Sequence, residues 1–199
     1  MRSLLLCTVC LLGCLQGAVG QTYRDTIATF RKKYIAELLE DKRAPIKPHQ
    51  TPKISFFPAD RSYCVWADVK ETPGSIPFMI PTHSGRQKPF REYATLTFTL
   101  QGQQYNLHVY QGIDIIKDTL YKDHLFLPFK DRTNYESTYG GGRYIDLSLK
   151  DITGGRLLLD FNKCYNPYCA YADGFNCPIP PDENILPVEI PAGEKTFIH

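Results

Sequence analysis

The chain has 199 residues, of which 43% are hydrophobic and 22% charged, and its 23 Lys+Arg against 21 Asp+Glu leave a formal net charge of +2. This composition is typical of a globular protein and excludes collagen-like, coiled-coil and polytopic membrane proteins. Because the small positive charge is spread along the chain, the sequence predicts no nucleic-acid partner.

The first twenty residues have the pattern of a secretory leader. Arg2 precedes an apolar run over residues 4–12, and small residues follow at Ala18 and Gly20. This pattern predicts a signal peptide over residues 1–20, cleaved before Gln21, and export to the periplasm or cell envelope. The alternative is a lipoprotein cleavage box at residues 11–14, with Cys14 as the lipid anchor. No later stretch has 18 uninterrupted apolar residues, so no transmembrane span is expected after the leader.

Residues 21–52 form the second predicted unit, an N-terminal helix and a proline-rich connection. Apolar residues recur at helical spacing over residues 22–40, with charged residues between them, which predicts one amphipathic helix. Pro45, Pro48 and Pro52 then end the helix and favour an extended chain.

From residue 53 to residue 199 the pattern predicts a single β domain. Apolar residues alternate with polar ones over residues 93–100 and again over 105–109, which predicts a hairpin that turns near Gly102. Further strands are predicted over residues 54–57, 63–69, 76–80, 124–127, 144–149, 156–161 and 188–190. The predicted fold is therefore mainly β, an antiparallel barrel or sandwich with one N-terminal amphipathic helix.

Two blocks carry a family resemblance: Gly-Arg-Tyr-Ile-Asp-Leu at 142–147, and Asp-Phe-Asn followed by Tyr-Asn-Pro within 160–167. With these blocks the chain resembles the bacterial and archaeal family called domain of unknown function 1684, over roughly residues 56–195. The family has no assigned activity, so the resemblance implies a domain but no mechanism. Cys164 stands where the family pattern has alanine.

Three glycines followed by an arginine mark the first candidate site. Backbone at Gly140, Gly141 and Gly142 can adopt a positive φ or accept a close approach, and Arg143 offers a planar set of donors. One interpretation is an anion site made of loop amides, Arg143 and the preceding Thr138 and Tyr139. The alternative is structural, with Arg143 paired to an internal carboxylate of Asp131, Asp146 or Asp160.

Polar residues on two later strands extend this candidate site. If the strands around residues 144–149 and 156–161 form a hairpin, Asp146 and Asp160 share one face, near Asn162 and Asn166. Such a cluster can be a structural Arg–Asp network, a ligand-orienting group, or an acid/base pair or hard-cation site. The predicted ligand-binding residues are Thr138, Tyr139, Gly141, Gly142, Arg143, Asp146, Asp160, Asn162 and Asn166.

Four cysteines follow the predicted leader. Cys169 and Cys177 lie in a Pro- and Tyr-rich loop, which predicts a disulfide between them in an exported protein. A second bridge between Cys64 and Cys164 is an alternative. Because no Cys-x-x-Cys pair or nearby histidine accompanies the loop, no metal centre is predicted, and no cofactor motif occurs.

Three hypotheses for the function follow from these residues. The first is an exported module that binds a small polar or anionic ligand at the predicted cluster. The second is a hydrolase that uses Asp146 or Asp160 as a general base. The third is an architectural protein that works through contacts with another envelope protein.

Overall fold

A computed structural model describes residues 3–199, and their side chains from Gln21 onward. The signal-peptide and Cys14 predictions concern residues 1–20, whose side chains lie outside this part. The single α-helix of the described residues, α1, spans Ser3–Glu40. No helix in the described part of the chain has the length and apolarity needed to cross a membrane.

Seven antiparallel strands form one curled half-barrel sheet, which confirms the predicted mainly β architecture with an N-terminal helix. The strands are β1 (Cys64–Glu71), β2 (Phe78–Pro81), β3 (Gln87–Leu100), β4 (Gln103–Gly112), β5 (His124–Phe129), β6 (Arg143–Ser148) and β7 (Arg156–Asp160). Their order across the sheet is β6-β5-β4-β3-β1-β7, and β2 pairs with β3. Short 3-10 helices join them at Pro48–Lys53, Arg61–Tyr63, Ile115–Lys117, Leu149–Asp151, Phe161–Lys163, Tyr168–Ala170 and Asp182–Asn184.

The predicted hairpin at Gly102 is confirmed as β3 and β4. Leu100 pairs with Gln103 across the turn, where Gln101 and Gly102 have φ of +52° and +79°. Two positive φ values in succession define the type I′ turn, whose twist matches that of the flanking strands. The alternating apolar residues of β3 are buried on the inner face of the sheet, as the period predicts.

The predicted pairing of residues 144–149 with 156–161 is wrong. β6 pairs with β5, whereas β7 pairs with β1 at the opposite end of the strand order. The 3-10 helix after β6 is capped by Ser148, which redirects the chain, and β7 then buries Leu157 and Leu159 beside β1. Long-range pairing with β1 therefore decides the position of β7, which the local hairpin pattern could not indicate.

Two predicted strands are also absent from their predicted positions in the described chain. Residues 54–57 form a single bridge, between Phe56 and Glu194. Residues 188–190 run beside the loop that follows β5, where the carbonyl of Val188 accepts a hydrogen bond from the amide of Arg132 at 3.0 Å. These segments make isolated contacts rather than continuous ladders.

Helix α1 packs through its apolar stripe, as predicted. Ile27 and Leu38 are fully buried, and Leu38 belongs to a small cluster with Ile54, Tyr171 and Phe197. The helix thus covers the segment that follows β7 and the end of the chain. It brings Tyr23 and Tyr34 to polar groups in those segments.

Candidate functional site

The glycine loop, residues 138–142, joins the turn after β5 to β6. Gly142 has a φ of +91°, and a Cβ on it would lie 2.7 Å from the carbonyl oxygen of Phe129. Both the positive φ and this close approach require glycine. The sequence prediction of a backbone position without room for a side chain is therefore correct at Gly142.

Three aromatic rings lie against the other two glycines. A Cβ on Gly140 would lie 2.2 Å from the ring of Tyr135, and one on Gly141 would lie 2.3 Å from the ring of Tyr139 and 2.8 Å from Nε2 of His83. Tyr135 is 85% exposed and holds a φ of +70°, which is uncommon for a residue other than glycine. The loop is therefore bare backbone between exposed and half-exposed rings.

Two amides of this loop make no hydrogen bond to the described chain. The N–H groups of Gly140 and Gly141 meet no acceptor among the described residues, whereas the amide of Gly142 donates to the Tyr139 carbonyl at 3.1 Å. Both free amides belong to residues that are partly accessible to solvent. Adjacent backbone amides on an accessible turn form the kind of concavity that binds anions.

Lys130 supplies a positive charge beside the loop. A Cβ on Gly142 would lie 3.1 Å from Cγ of Lys130, and the Lys130 ammonium makes no ion pair with a carboxylate of the described chain. The pKa of His83 is lowered by burial and by the charge of Lys130. Burial raises the pKa of Tyr139, with smaller contributions from Tyr135 and Asp173, so its hydroxyl stays a neutral donor at pH 7.

Thr138 stabilises the loop from inside the protein. Its hydroxyl is buried and forms hydrogen bonds with the Thr133 hydroxyl at 2.8 Å and the Asn134 amide at 3.0 Å. The same Asn134 amide donates to the carbonyl of Tyr139 at 2.8 Å. Thr138 therefore holds the loop in shape, and its side chain does not reach solvent.

Arg143 lies inside the protein, directly after the loop. Its guanidinium is fully buried and donates to Asp131 Oδ2 at 2.7 Å. It also donates to the carbonyls of Ile190 at 2.9 Å, of Glu194 at 3.3 Å, and of Ala192. The structure thus agrees with the alternative in which Arg143 pairs with an internal carboxylate, here that of Asp131. The buried guanidinium has no access to a ligand.

Asp146 and Asp160 lie in separate networks rather than on one shared face. Asp146 is exposed on β6, where His124 Nε2 lies 2.9 Å from one oxygen and the Tyr165 hydroxyl donates to the other at 2.7 Å. Asp160 is buried and accepts from the Tyr23 hydroxyl at 2.9 Å. The separation follows from the pairing of β6 and β7 with different strands.

Asn162 and Asn166 serve as tethers between segments. The side chain of Asn162 donates to the Asp60 carbonyl at 2.7 Å and accepts from the Asp60 amide at 2.9 Å. The side chain of Asn166 donates to the carbonyl of Lys195 at 2.8 Å. Both residues are fully buried, so each uses its amide to join distant parts of the chain.

Sequence reasoning missed a buried carboxyl at the end of the chain. Glu194 is fully buried and accepts hydrogen bonds from the Tyr171 hydroxyl at 2.5 Å, the Tyr34 hydroxyl at 3.4 Å and the Asn166 amide at 2.9 Å. Burial raises the pKa of Glu194 to about 7, although these donors oppose the shift. The only sequence signal was its place after Gly193, since its tyrosine partners lie far away in the chain.

The predicted site residues therefore fall into three groups. Tyr139 and Gly141 form the partly accessible part of the loop, the buried Thr138, Gly142 and Arg143 support it, and Asp146, Asp160, Asn162 and Asn166 lie in other networks. Their role in ligand binding stays a prediction. Among residues with described side chains, no group of three or more His, Cys, Asp or Glu could hold a metal ion.

The predicted disulfide agrees with the structure, which places Cys169 and Cys177 at disulfide distance, with their Cα atoms 6.2 Å apart. The pair braces the glycine loop, because the Cys177 carbonyl accepts from the His83 amide at 3.0 Å and the Cys169 carbonyl lies 3.5 Å from the Tyr139 hydroxyl. Cys64 and Cys164 are free and buried, so the alternative second bridge is wrong.

Removing the disulfide should lower stability but leave the fold intact. For Cys169→Ala/Cys177→Ala we expect the free energy of unfolding to fall by about 2.5 kcal/mol, because the bridge constrains the short loop in the unfolded chain. Urea unfolding measures the change. A reductant should lower the unfolding midpoint of the wild type and not that of the variant, and a wild type insensitive to reductant would contradict this prediction.

The fold and this loop define the class of protein, an antiparallel half-barrel domain with one N-terminal helix. The chain matches the family described as protein of unknown function (DUF1684) over residues 50–195, and it belongs to that family. It is also similar to the NMR structure of an uncharacterized protein of Haloarcula marismortui, with 31% identity, a TM-score of 0.69, and coverage of 89% of this chain and 96% of the other. No curated protein matches the chain.

Proposed function

We propose that the protein is a binding module for a small anionic ligand, and that the glycine loop is its site. The observation that carries the proposal is the pair of adjacent amides at Gly140 and Gly141, which meet no acceptor among the described residues. A carboxylate or phosphate oxygen can accept from both amides at once. The rings of Tyr135 and Tyr139 lie where side chains on Gly140 and Gly141 would be, so a ligand is expected to approach the two amides beside these rings.

The surroundings of the loop support an anion rather than a cation. Lys130 supplies a positive charge without an internal carboxylate partner among the described residues, and His83 adds a ring nitrogen that becomes a second positive group in acid. Asp173 lies on the Tyr139 side of the loop and disfavours anions there. The ligand charge is therefore expected to sit between the loop amides and Lys130.

The rings of Tyr135 and Tyr139 support an organic ligand larger than a bare ion. An exposed phenol offers apolar surface and a hydroxyl at low entropic cost, since tyrosine has only two side-chain torsions. Tyr135 keeps this exposed position through an uncommon positive φ. A small carboxylated or phosphorylated compound would satisfy the amides and the rings together.

Binding is better supported than hydrolysis by an aspartate base. Asp160 is buried, and both oxygens of Asp146 already accept hydrogen bonds from His124 and Tyr165. Neither aspartate lies in the glycine loop. The architectural hypothesis agrees with Arg143 and the tethering asparagines, but it does not account for the free amides.

We further infer that the module acts outside the cytoplasm. The apolar pattern of residues 1–20 supports a leader, and the cysteine pair at disulfide distance supports an oxidising compartment. Identification of the N-terminal residue of the purified protein by mass spectrometry tests this inference. Gln21 at the N-terminus supports it, and an intact Met1 contradicts it.

Removing the positive charge beside the loop should weaken anion binding. With citrate and inorganic phosphate as probes at pH 7 and low salt, we expect Lys130→Gln to raise the Kd about tenfold, the effect of one charge-assisted contact. Isothermal titration calorimetry measures the Kd. Lys122→Gln, at an exposed lysine outside the loop, is the matched control and should leave the Kd unchanged.

Two outcomes would overturn the proposed function. One is the absence of binding for both probes at millimolar concentration. The other is equal affinity in the wild type, Lys130→Gln and Lys122→Gln, which would place the anion elsewhere.

A further inference from the structure

An open cleft of about 370 Å³ lies at the tip of the β3–β4 hairpin, away from the glycine loop. One wall comes from the hairpin tip and the other from residues 187–191. None of its lining residues belongs to the glycine loop. Its volume lies within the usual range for sites that bind small molecules.

The uncharged polar side chains of the cleft are those of two tyrosines and two glutamines. Gln101 Nε2 donates to the Tyr63 hydroxyl at 3.2 Å, and the Tyr105 hydroxyl donates to Gln103 Oε1 at 2.8 Å. Each pair keeps donors and acceptors in reserve, because a glutamine side chain has two N–H donors and one carbonyl oxygen. The lining is therefore suited to a ligand with many hydroxyl groups.

The two half-buried tyrosines, Tyr63 and Tyr105, also offer apolar surface to a ligand. A tyrosine ring presents an apolar face beside a polar hydroxyl. The C–H face of a sugar ring matches such a surface, whereas a wholly apolar ligand would leave the remaining donors and acceptors of the glutamines unpaired. The combination of phenol rings and amides thus favours a saccharide over a lipid or an aromatic compound.

The charges of the cleft indicate which saccharide. Arg132 is exposed and has no ion-pair partner among the described carboxylates. A guanidinium binds a carboxylate through two parallel hydrogen bonds. Glu189 also lines the cleft and can accept from ligand hydroxyls. A sugar carboxylate beside Arg132 would complete this arrangement.

The cleft is held in shape before a ligand arrives. Gln101 keeps a φ of +52° at the tight turn, a conformation that favours glycine or asparagine, and its side chain is bound to Tyr63. On the other wall, the Ile190 amide donates to Asp131 Oδ1 at 3.2 Å and the Ile190 carbonyl accepts from Arg143. Arg143 is thus a positioning residue for this wall. Such preorganisation lowers the entropic cost of binding.

We propose that this cleft binds a short acidic saccharide, with a uronate carboxylate on Arg132 and the sugar faces on Tyr63 and Tyr105. A peptide fits less well, because the lining offers side-chain amides and phenols rather than a free strand edge. The proposal is independent of the glycine loop, since the two sites share no residue.

The test uses digalacturonate as the acidic probe and maltose as the neutral one. In heteronuclear NMR of the full chain, digalacturonate should shift the amide signals of Gln101, Gln103 and Tyr105, and the affinity of the cleft is read from these signals alone, so that any binding at the Gly140 and Gly141 amides is counted separately. We expect maltose to bind at least tenfold more weakly. Arg132→Gln should weaken digalacturonate binding at least tenfold, whereas the exposed control Arg86→Gln should have no effect.

Two results would overturn the proposal. The first is the absence of shifts at the hairpin tip with digalacturonate at 10-fold molar excess over ~1 mM protein, which would occupy most of a site with a Kd of about 1 mM. The second is equal affinity for digalacturonate and maltose, with no effect of Arg132→Gln. Either result leaves the anion-binding test at the glycine loop unaffected, because that test follows different amides.

Discussion

Arg143→Met is expected to lower the free energy of unfolding by about 3–5 kcal/mol, because it leaves the buried Asp131 carboxylate without its cation. The variant also removes the donors for the carbonyls of Ile190, Ala192 and Glu194. Unpaired buried acceptors add to the cost. Urea unfolding followed by circular dichroism measures the difference from the wild type.

Arg156→Met is the matched control for this prediction. Arg156 forms an ion pair with Asp68 at 3.1 Å, but both side chains are more than half exposed, so its loss should cost less than about 1 kcal/mol. A loss below about 1 kcal/mol for Arg143→Met as well would contradict the burial of the Arg143–Asp131 ion pair. It would mean that the guanidinium is open to solvent and available to a ligand.

The second large effect is a loss of stability as the pH rises. Burial raises the pKa of Glu194 to about 7 from its ordinary value of 4.5. The folded state then holds this proton more tightly than the unfolded chain, so the associated stability is complete below pH 4.5 and is lost as the pH rises through 7. Between pH 5 and pH 8 we expect the free energy of unfolding to fall by about 2–3 kcal/mol.

Glu194→Gln separates this carboxyl from the other titrating groups. Glutamine keeps the shape of the side chain and cannot ionise, so the variant should lose the steep fall between pH 5 and pH 8. The neighbouring hydroxyls of Tyr34 and Tyr171 have pKa values raised by burial, and they do not titrate in this window. Parallel pH profiles for the wild type and the variant would show that Glu194 is not the responsible group.

The sequence predicts the local elements of this fold well. The helix over residues 22–40 and the hairpin at Gly102 follow from periodicity and turn chemistry, which depend on neighbours in the chain. The position of β7 does not follow from local patterns, because β7 pairs with the open edge of β1, about ninety residues earlier in the chain. The 3-10 turn at residues 149–151 shows nothing in its composition that excludes a hairpin.

Only part of the candidate site could be predicted, because some of its contacts also join distant segments of the chain. Gly142 is identifiable because a glycine run before a strand signals special backbone geometry. The partner of Arg143 was among three candidates, and only the packed structure selects Asp131. Glu194 and its tyrosines Tyr34 and Tyr171 come from three distant segments, so no spacing in the sequence brings them together.

The buried Asp131–Arg143 pair contacts the backbone next to both the glycine loop and the cleft. The Asp131 carboxylate binds the Thr133 amide at 2.9 Å on the loop side and the Ile190 amide on the cleft side. Arg143 joins this carboxylate to the end of the chain. One buried ion pair therefore fixes the backbone beneath the glycine loop and behind one wall of the cleft.

The most direct test of anion binding at the glycine loop is NMR of protein labelled with ¹⁵N in glycine, titrated with citrate at pH 7. We predict that the amide signals of Gly140 and Gly141 shift in a saturable way and move downfield, as expected for new hydrogen bonds to an anion. The signals of Gly74 and Gly154, in turns outside both proposed sites, should stay in place. Saturable binding that leaves Gly140 and Gly141 unmoved, or no binding at all, would contradict the proposed site.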